Sequence, residues 1–142
     1  MTKVDFHILP AFHERDRLNY VTRLIRKAQS QSLDILISVE DDEHRQMTSE
    51  AIWAASPDSF IAHETIGSNF HPVQISIDED CGEHHQVLIN LRKETPSFFS
   101  RFERVFEVVS QETEILNASR ARYRFYKDRG YALAKHDLRD RV

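Results

Sequence analysis

The chain has 142 residues, 40% apolar and 30% charged, with a formal net charge of −4. It describes a globular protein long enough to bury a real core, and no run of about 18 apolar residues is present to cross a membrane. Cys81 is the only cysteine, which excludes an internal disulfide and is compatible with a reducing cytoplasm.

In chain order, the start shows no signal-peptide layout and residues 3–9 alternate as a short strand with Val4, Phe6 and Ile8 on one face, ended by Pro10. Residues 15–31 predict an amphipathic helix with Leu18, Val21, Leu24, Ile25 and Ala28 on its buried stripe. Residues 34–39, with Ile35, Leu36 and Ile37 unbroken, predict a strand buried on both faces. A helix carrying Met47, Ala51 and Trp53 follows, then a turn at Ser56, Pro57 and Asp58 and a short strand over 60–63. Residues 73–77 and 87–91 are two more strands, flanking an acidic loop with Cys81, Gly82, His84 and His85. Pro96 predicts a helix over 97–109, with Phe98, Phe102, Val105, Phe106 and Val109 as its apolar side. A last helix, 113–129, is stopped by Gly130, and 132–142 reads as a polar, partly mobile tail. Strands alternating with helices imply one domain over 1–142: three-layer α/β/α, with a mostly parallel sheet of about five strands, Rossmann-like but without a phosphate-binding loop.

Charge divides unevenly. Residues 120–142 hold eight basic and three acidic side chains, a local +5, whereas the first 119 hold eleven and twenty, a local −9. Such a body argues against wrapping nucleic acid. Within 120–131, five basic and four aromatic residues share twelve positions. At about 100° per residue, Ile115, Ala118, Ser119, Arg122, Phe125 and Tyr126 fall on one arc. Leu116, Arg120, Tyr123, Arg124 and Lys127 fall on another, basic with an apolar stripe. That arc suits an acidic ligand with an apolar anchor, or else is a solvated face whose arginines cover the core.

Other chemistry is weaker. Three glycines, in neither G-x-G-x-x-G nor G-x-x-x-x-G-K-[ST], leave no cradle for a pyrophosphate. Glu40, Asp41, Asp42 and Glu43 occupy a strand end where a metal-dependent hydrolase places carboxylates, but Asp41 or Asp42 as a helix cap accounts for them. Cys81, His84 and His85 lack zinc-site spacing, and the two histidines are expected to be surface groups, so no metal or cofactor is expected. Trp53 is either core or an exposed apolar edge.

Three stretches resemble the chi subunit family of bacterial DNA polymerase III. They are the strand Val4 to Leu9, Trp53 with the run from Pro57 to His63, and the ending that holds Val87-Leu88-Ile89-Asn90-Leu91, Phe98-Phe99-Ser100-Arg101-Phe102 and Ala121-Arg122-Tyr123-Arg124-Phe125-Tyr126-Lys127-Asp128-Arg129-Gly130-Tyr131. The resemblance implies a non-catalytic subunit of a DNA-directed DNA polymerase complex in the bacterial cytoplasm, associated with the replisome and nucleoid. It implies two partners and no direct nucleic-acid contact: the acidic, phenylalanine-ended tail of single-stranded-DNA-binding protein, and psi, in a 1:1 heterodimer linked to the clamp loader. The tail pocket maps onto Val109, Arg120, Tyr123 and Arg124, with Lys127 attracting the tail's aspartates; psi binding maps onto Trp53, Phe60, Ile61 and His63. Leu116 departs from the lysine that some members carry. The alternatives are direct single-stranded nucleic-acid binding through the same arginines and tyrosines, or a hydrolase built on residues 40–43.

Overall fold

The computed structural model describes residues 1–55, 64–65 and 69–139. Its elements in chain order are β1 (Lys3–Ile8), α1 (Glu14–Ser30), β2 (Ile35–Ser38), α2 (Asp42–Ala55), β3 (Glu64–Thr65), β4 (Val73–Ser76), β5 (Val87–Asn90), a 3₁₀ turn (Phe99–Arg101), β6 (Arg104–Val109), α3 (Thr113–Asp128) and β7 (Ala132–Asp137). The strands form one sheet in the order β3-β4-β2-β5-β6-β1-β7, and every pairing is parallel. The α/β class, its three layers and its parallel sheet are as the sequence predicts, with seven strands among the described residues rather than about five.

Side-chain alternation assigns the two faces. Ile35 and Ile37 of β2 and Val87 and Ile89 of β5 join one apolar cluster, with Leu18, Val21 and Ile25 of α1 and Ile52 of α2. Leu36 and Leu88 point the other way, into a cluster with Phe98, Phe99, Phe102 and Tyr126 of α3. The first three positions of β2 and of β5 are therefore apolar on both faces, the pattern required when helices cover both sides of a sheet. α1 and α2 lie on one side of the sheet, and α3 with the phenylalanine-rich turn on the other.

Two segments differ from expectation. The helix predicted over 97–109 is a 3₁₀ turn followed by β6. Apolar residues at 98, 102, 105, 106 and 109 match helical spacing, but 105 and 109 also match a period of two, and Val105, Val108 and Val109 are β-branched. In β6, Val105 and Val109 face one cluster while Val108 faces the other. Residues 132–137, read as part of a polar tail, form β7, registered along the whole of β1 from Lys3–Ala132 to Ile8–Asp137. The turn at 56–58 and the strand at 60–63 lie outside the described residues.

α3 has both ends fixed locally. The Glu112 side chain accepts a hydrogen bond from the Ile115 N–H at 3.0 Å. At the other end the Tyr131 N–H donates to the Tyr126 carbonyl and the Gly130 N–H to that of Lys127, with Gly130 at φ +78°. This is a Schellman closure with glycine in the left-handed position, and it turns the chain directly into β7.

Candidate functional site

The crevice over the carboxyl ends of the strands is where open α/β sheets usually hold ligands. On the α1 face the protein fills it with its own side chains. Arg17, only 3% exposed, donates to the carbonyls of Val108 and Leu91 and pairs twice with Glu14 at 2.7 Å. Glu14 also meets His44 Nε2 at 2.7 Å. Burial raises the Glu14 carboxyl, but the His44 and Arg17 contacts outweigh it and hold it below its ordinary value. Asp41 Oδ1 accepts from the His44 N–H at 2.8 Å, the helix-cap role. Glu40 accepts from the Lys93 N–H. No group of three or more potential metal ligands occurs among the described residues.

The Cys81 loop corrects one expectation. His85 is exposed, but His84 is fully buried, its Nε2 2.8 Å from Gln74 Oε1 and its ring against Phe70. Cys81 is buried too, with Arg101 donating to its sulfur. The loop folds back over the sheet, which removes both groups from the surface.

The open cleft lies on the α3 face. A cavity of about 550 Å³ is floored by Phe6, Ile8, Val109, Leu116 and Tyr123. Arg120, Arg124 and Lys127 of α3 line one lip, and Lys135 and Arg139 the other. Asp128 is the one carboxylate in that lining. Arg120, Arg124 and Lys127 are exposed, and their side chains make no hydrogen bond or ion pair with the described residues, whereas Arg139 pairs with Asp137 at 2.6 Å. Five cations over an apolar floor fit an anionic ligand with an apolar end. The five residues of the basic arc all line this cleft, joined by Val109 from the end of β6.

What turns that arc outward is the opposite side of α3. Glu107 of β6 is wholly buried and binds Arg122 Nε at 3.0 Å, Asn90 Nδ2 at 3.1 Å and the Tyr126 hydroxyl at 2.7 Å. Arg122 also donates to the Lys93 carbonyl at 2.6 Å. Burial first, and then the Glu107 charge, raises the Tyr126 phenol far above its ordinary value, so it stays a donor. With Arg122 and Tyr126 pinned to the sheet, residues 120, 123, 124 and 127 project over β1 and β7. Helix spacing puts Arg122 on the arc apart from the basic one, but places Glu107 inside the helix predicted over 97–109, where no partner is visible.

Trp53 stands on α2, 53% exposed, on the same helix as the 41% exposed Met47. Phe60, Ile61 and His63 lie outside the described residues. α2 packs on the sheet face opposite α3, so Trp53 and the cationic cleft occupy opposite sides of the molecule.

On the Trp53 side, β1 and β7 carry a polar group. His7 Nδ1 meets the Tyr20 hydroxyl at 2.7 Å, and its ring stacks on His136 at 4.8 Å. Burial, reinforced by His136, pulls the His7 imidazole down to about 4; burial also lowers His84. Both rings are neutral in the fold at pH values where the unfolded chain takes up protons, so acid favours unfolding. Stability is expected to be complete above about 6.5, the ordinary histidine value, and to decline as the pH falls toward 4. Asp5 adds its loss only below its ordinary value of 3.8, because Arg104 outweighs the effect of burial on it. Urea midpoints between pH 7 and 4 check this: His7→Phe should flatten part of the slope, and a pH-independent wild type contradicts it.

Fold and cleft together define a class: an all-parallel α/β domain whose open site is a cation-lipped groove beside its edge strand rather than a nucleotide loop. Comparison with known proteins supplies the family. Residues 1–134 match the model of the DNA polymerase III chi subunit, HolC. The chain is 34% identical over 139 residues to DNA polymerase III subunit chi of Pseudomonas aeruginosa, covering 97% of this chain and 98% of that protein. It is 26% identical over 141 residues to the Escherichia coli subunit chi, covering 94% and 96%. The crystal structure of T4 UvsW aligns over 96% of this chain with a TM-score of 0.64, but at 9% identity and over 42% of its own length, which is a likeness of fold alone. This chain belongs to the DNA polymerase III chi subunit family, accessory subunits of the replicative polymerase.

Proposed function

We propose that this protein acts as a non-catalytic tether, holding the acidic C-terminal tail of single-stranded-DNA-binding protein in the α3 cleft and psi on the α2 side. The observation that carries this reading is the convergence of Val109, Arg120, Tyr123 and Arg124 on one apolar-floored, cation-lipped cavity. Arg120 or Arg124 takes the terminal carboxylate through guanidinium hydrogen bonds, and Tyr123 and Val109 wall the phenyl ring. Lys127 draws the tail's aspartates from longer range. The exposed Trp53 anchors psi together with Phe60, Ile61 and His63. Because Trp53 and the cleft lie on opposite faces of the sheet, both partners can be engaged together, and tethering raises the polymerase's effective concentration at coated template without any catalytic group.

Fluorescence anisotropy with a labelled acidic peptide ending in Ile-Pro-Phe, beside the same peptide lacking the phenylalanine, tests the central claim. Saturable binding that weakens with salt and disappears with the phenylalanine is expected. Equal binding of both peptides, or tighter binding of a single-stranded oligonucleotide than of the peptide, overturns it.

A further inference from the structure

Strand β7 brings one side chain into the cleft that helix periodicity could not reveal. The β1–β7 register sets Lys135 beside Phe6, and both line the cavity with Tyr123. The Tyr123 ring has two neighbours there. Phe6 meets it edge-on, with centroids 5.3 Å apart, and the Lys135 ammonium sits 4.4 Å from its centroid. Lys135 is exposed, and its side chain makes no hydrogen bond to the described residues. The ring expected to receive an aromatic anchor therefore already carries a cation.

We propose that Lys135 is a ligand-displaced cap on Tyr123, which makes recognition of an aromatic end conditional on acidic residues preceding it. The inference rests on the tail-binding reading and adds to it a specificity-determining residue. A phenyl ring packed on Tyr123 needs the space the ammonium occupies. Leaving the ammonium between two rings would strip it of water, and the Asp137 carboxylate that feels its charge is already paired with Arg139, so burial there is costly. An aspartate upstream of the anchor supplies the missing partner, and a charge-assisted contact with a carboxylate outcompetes an exposed cation–π contact. The acid draws Lys135 away, and the ring takes its place. A ligand with the same aromatic end but no upstream acid has only its terminal carboxylate, which Arg120 or Arg124 takes, and must displace the lysine uncompensated.

The consequence is a change of sign. Two phenylalanine-ended peptides are compared by anisotropy, one with its aspartates and one with asparagines in their place, against wild type, Lys135→Met and Lys135→Arg. Lys135→Met should bind the acidic peptide about threefold to fivefold more weakly, the scale of one exposed ion pair. The same variant should bind the neutral peptide about twofold more tightly, because no cation–π contact has to be broken. Lys135→Arg should keep the acidic preference. Equal weakening for both peptides makes Lys135 a plain wall of the cleft, and no change for either makes it a bystander; both overturn the cap while leaving the tail reading intact. Wild-type protein that binds neither peptide overturns the tail reading itself. A second readout needs no variant: the Lys135 ε-methylene protons should be shifted upfield by the Tyr123 ring in the free protein and return toward ordinary values with the acidic peptide. Ordinary values in the free protein overturn the cap.

Discussion

Arg122→Met is expected to destabilise the protein by about 3–5 kcal/mol, the scale for removing one partner of a buried ion pair. Methionine keeps most of the arginine stem's volume, so the loss reports charge rather than packing. Glu107, with no exposure at all, would be left with only Asn90 and the Tyr126 hydroxyl as donors. The Lys93 carbonyl would lose its partner as well. The sign of a second substitution identifies the cause. Glu107→Gln added to Arg122→Met should recover part of the loss, because a neutral amide can still meet Asn90 and Tyr126 without carrying an unpaired charge. Urea denaturation measures both. A cost below about 1 kcal/mol for Arg122→Met alone would mean that the network does not hold α3 in place. The experiment bears on function because that network fixes the helix's rotation: freed from Glu107, α3 has fewer reasons to present Arg120, Tyr123 and Arg124 to the cleft.

This network also shows where reading the sequence stops. Elements whose evidence is local were legible. The α1 stripe of Leu18, Val21, Leu24 and Ile25 and the unbroken run Ile35-Leu36-Ile37 each carry their own periodicity, and both agree with the structure within a residue or so. The basic arc of α3 was legible for the same reason, since residues three and four apart share a helix face in any context. Residues 97–109 failed because Phe98, Phe102, Val105, Phe106 and Val109 satisfy two periods together, and the arbiter is tertiary. β6 lies between β1 and β5 in the centre of the sheet, which no window of thirteen residues contains. Glu107 was lost with it, a lone carboxylate whose partner sits fifteen positions away on another element.

β7 was concealed differently. Ala132, Leu133 and Ala134 have weak strand propensity, and Lys135, His136 and Asp137 look like solvated tail. They suit an edge strand, which charged side chains protect from pairing with other chains. Its existence depends on the Schellman turn at Gly130 delivering the chain alongside β1. Once that turn is seen, the alternation of Leu133 and Lys135 toward α3 with His136 toward α1 follows. The second lip of the cleft, Lys135 and Arg139, was therefore out of reach of any argument from helix spacing.

Arg120→Ala is expected to weaken binding of the acidic, phenylalanine-ended tail peptide by at least about thirtyfold, the scale of an interface hot spot of 2 kcal/mol. The variant is a clean test because Arg120 is exposed and its side chain makes no hydrogen bond or ion pair with the described residues. Its melting temperature should stay at the wild-type value while affinity collapses. Tyr123→Ala should lose a similar amount of affinity but also some stability, since its ring packs edge-on against Phe6. The two variants thereby separate charge from apolar contact. For Arg120→Ala the salt dependence of the residual binding should flatten, because a cation has gone; for Tyr123→Ala it should persist at lower affinity. Arg120→Lys decides between a point charge and a fork. If the guanidinium holds the terminal carboxylate with two parallel hydrogen bonds, lysine should rescue the salt dependence and only part of the affinity. Full rescue by lysine would make Arg120 a long-range attractor like Lys127, and Arg124 would inherit the carboxylate. Unchanged affinity in both Arg120→Ala and Tyr123→Ala would empty the cleft of its proposed ligand, however well its cations and apolar floor fit one.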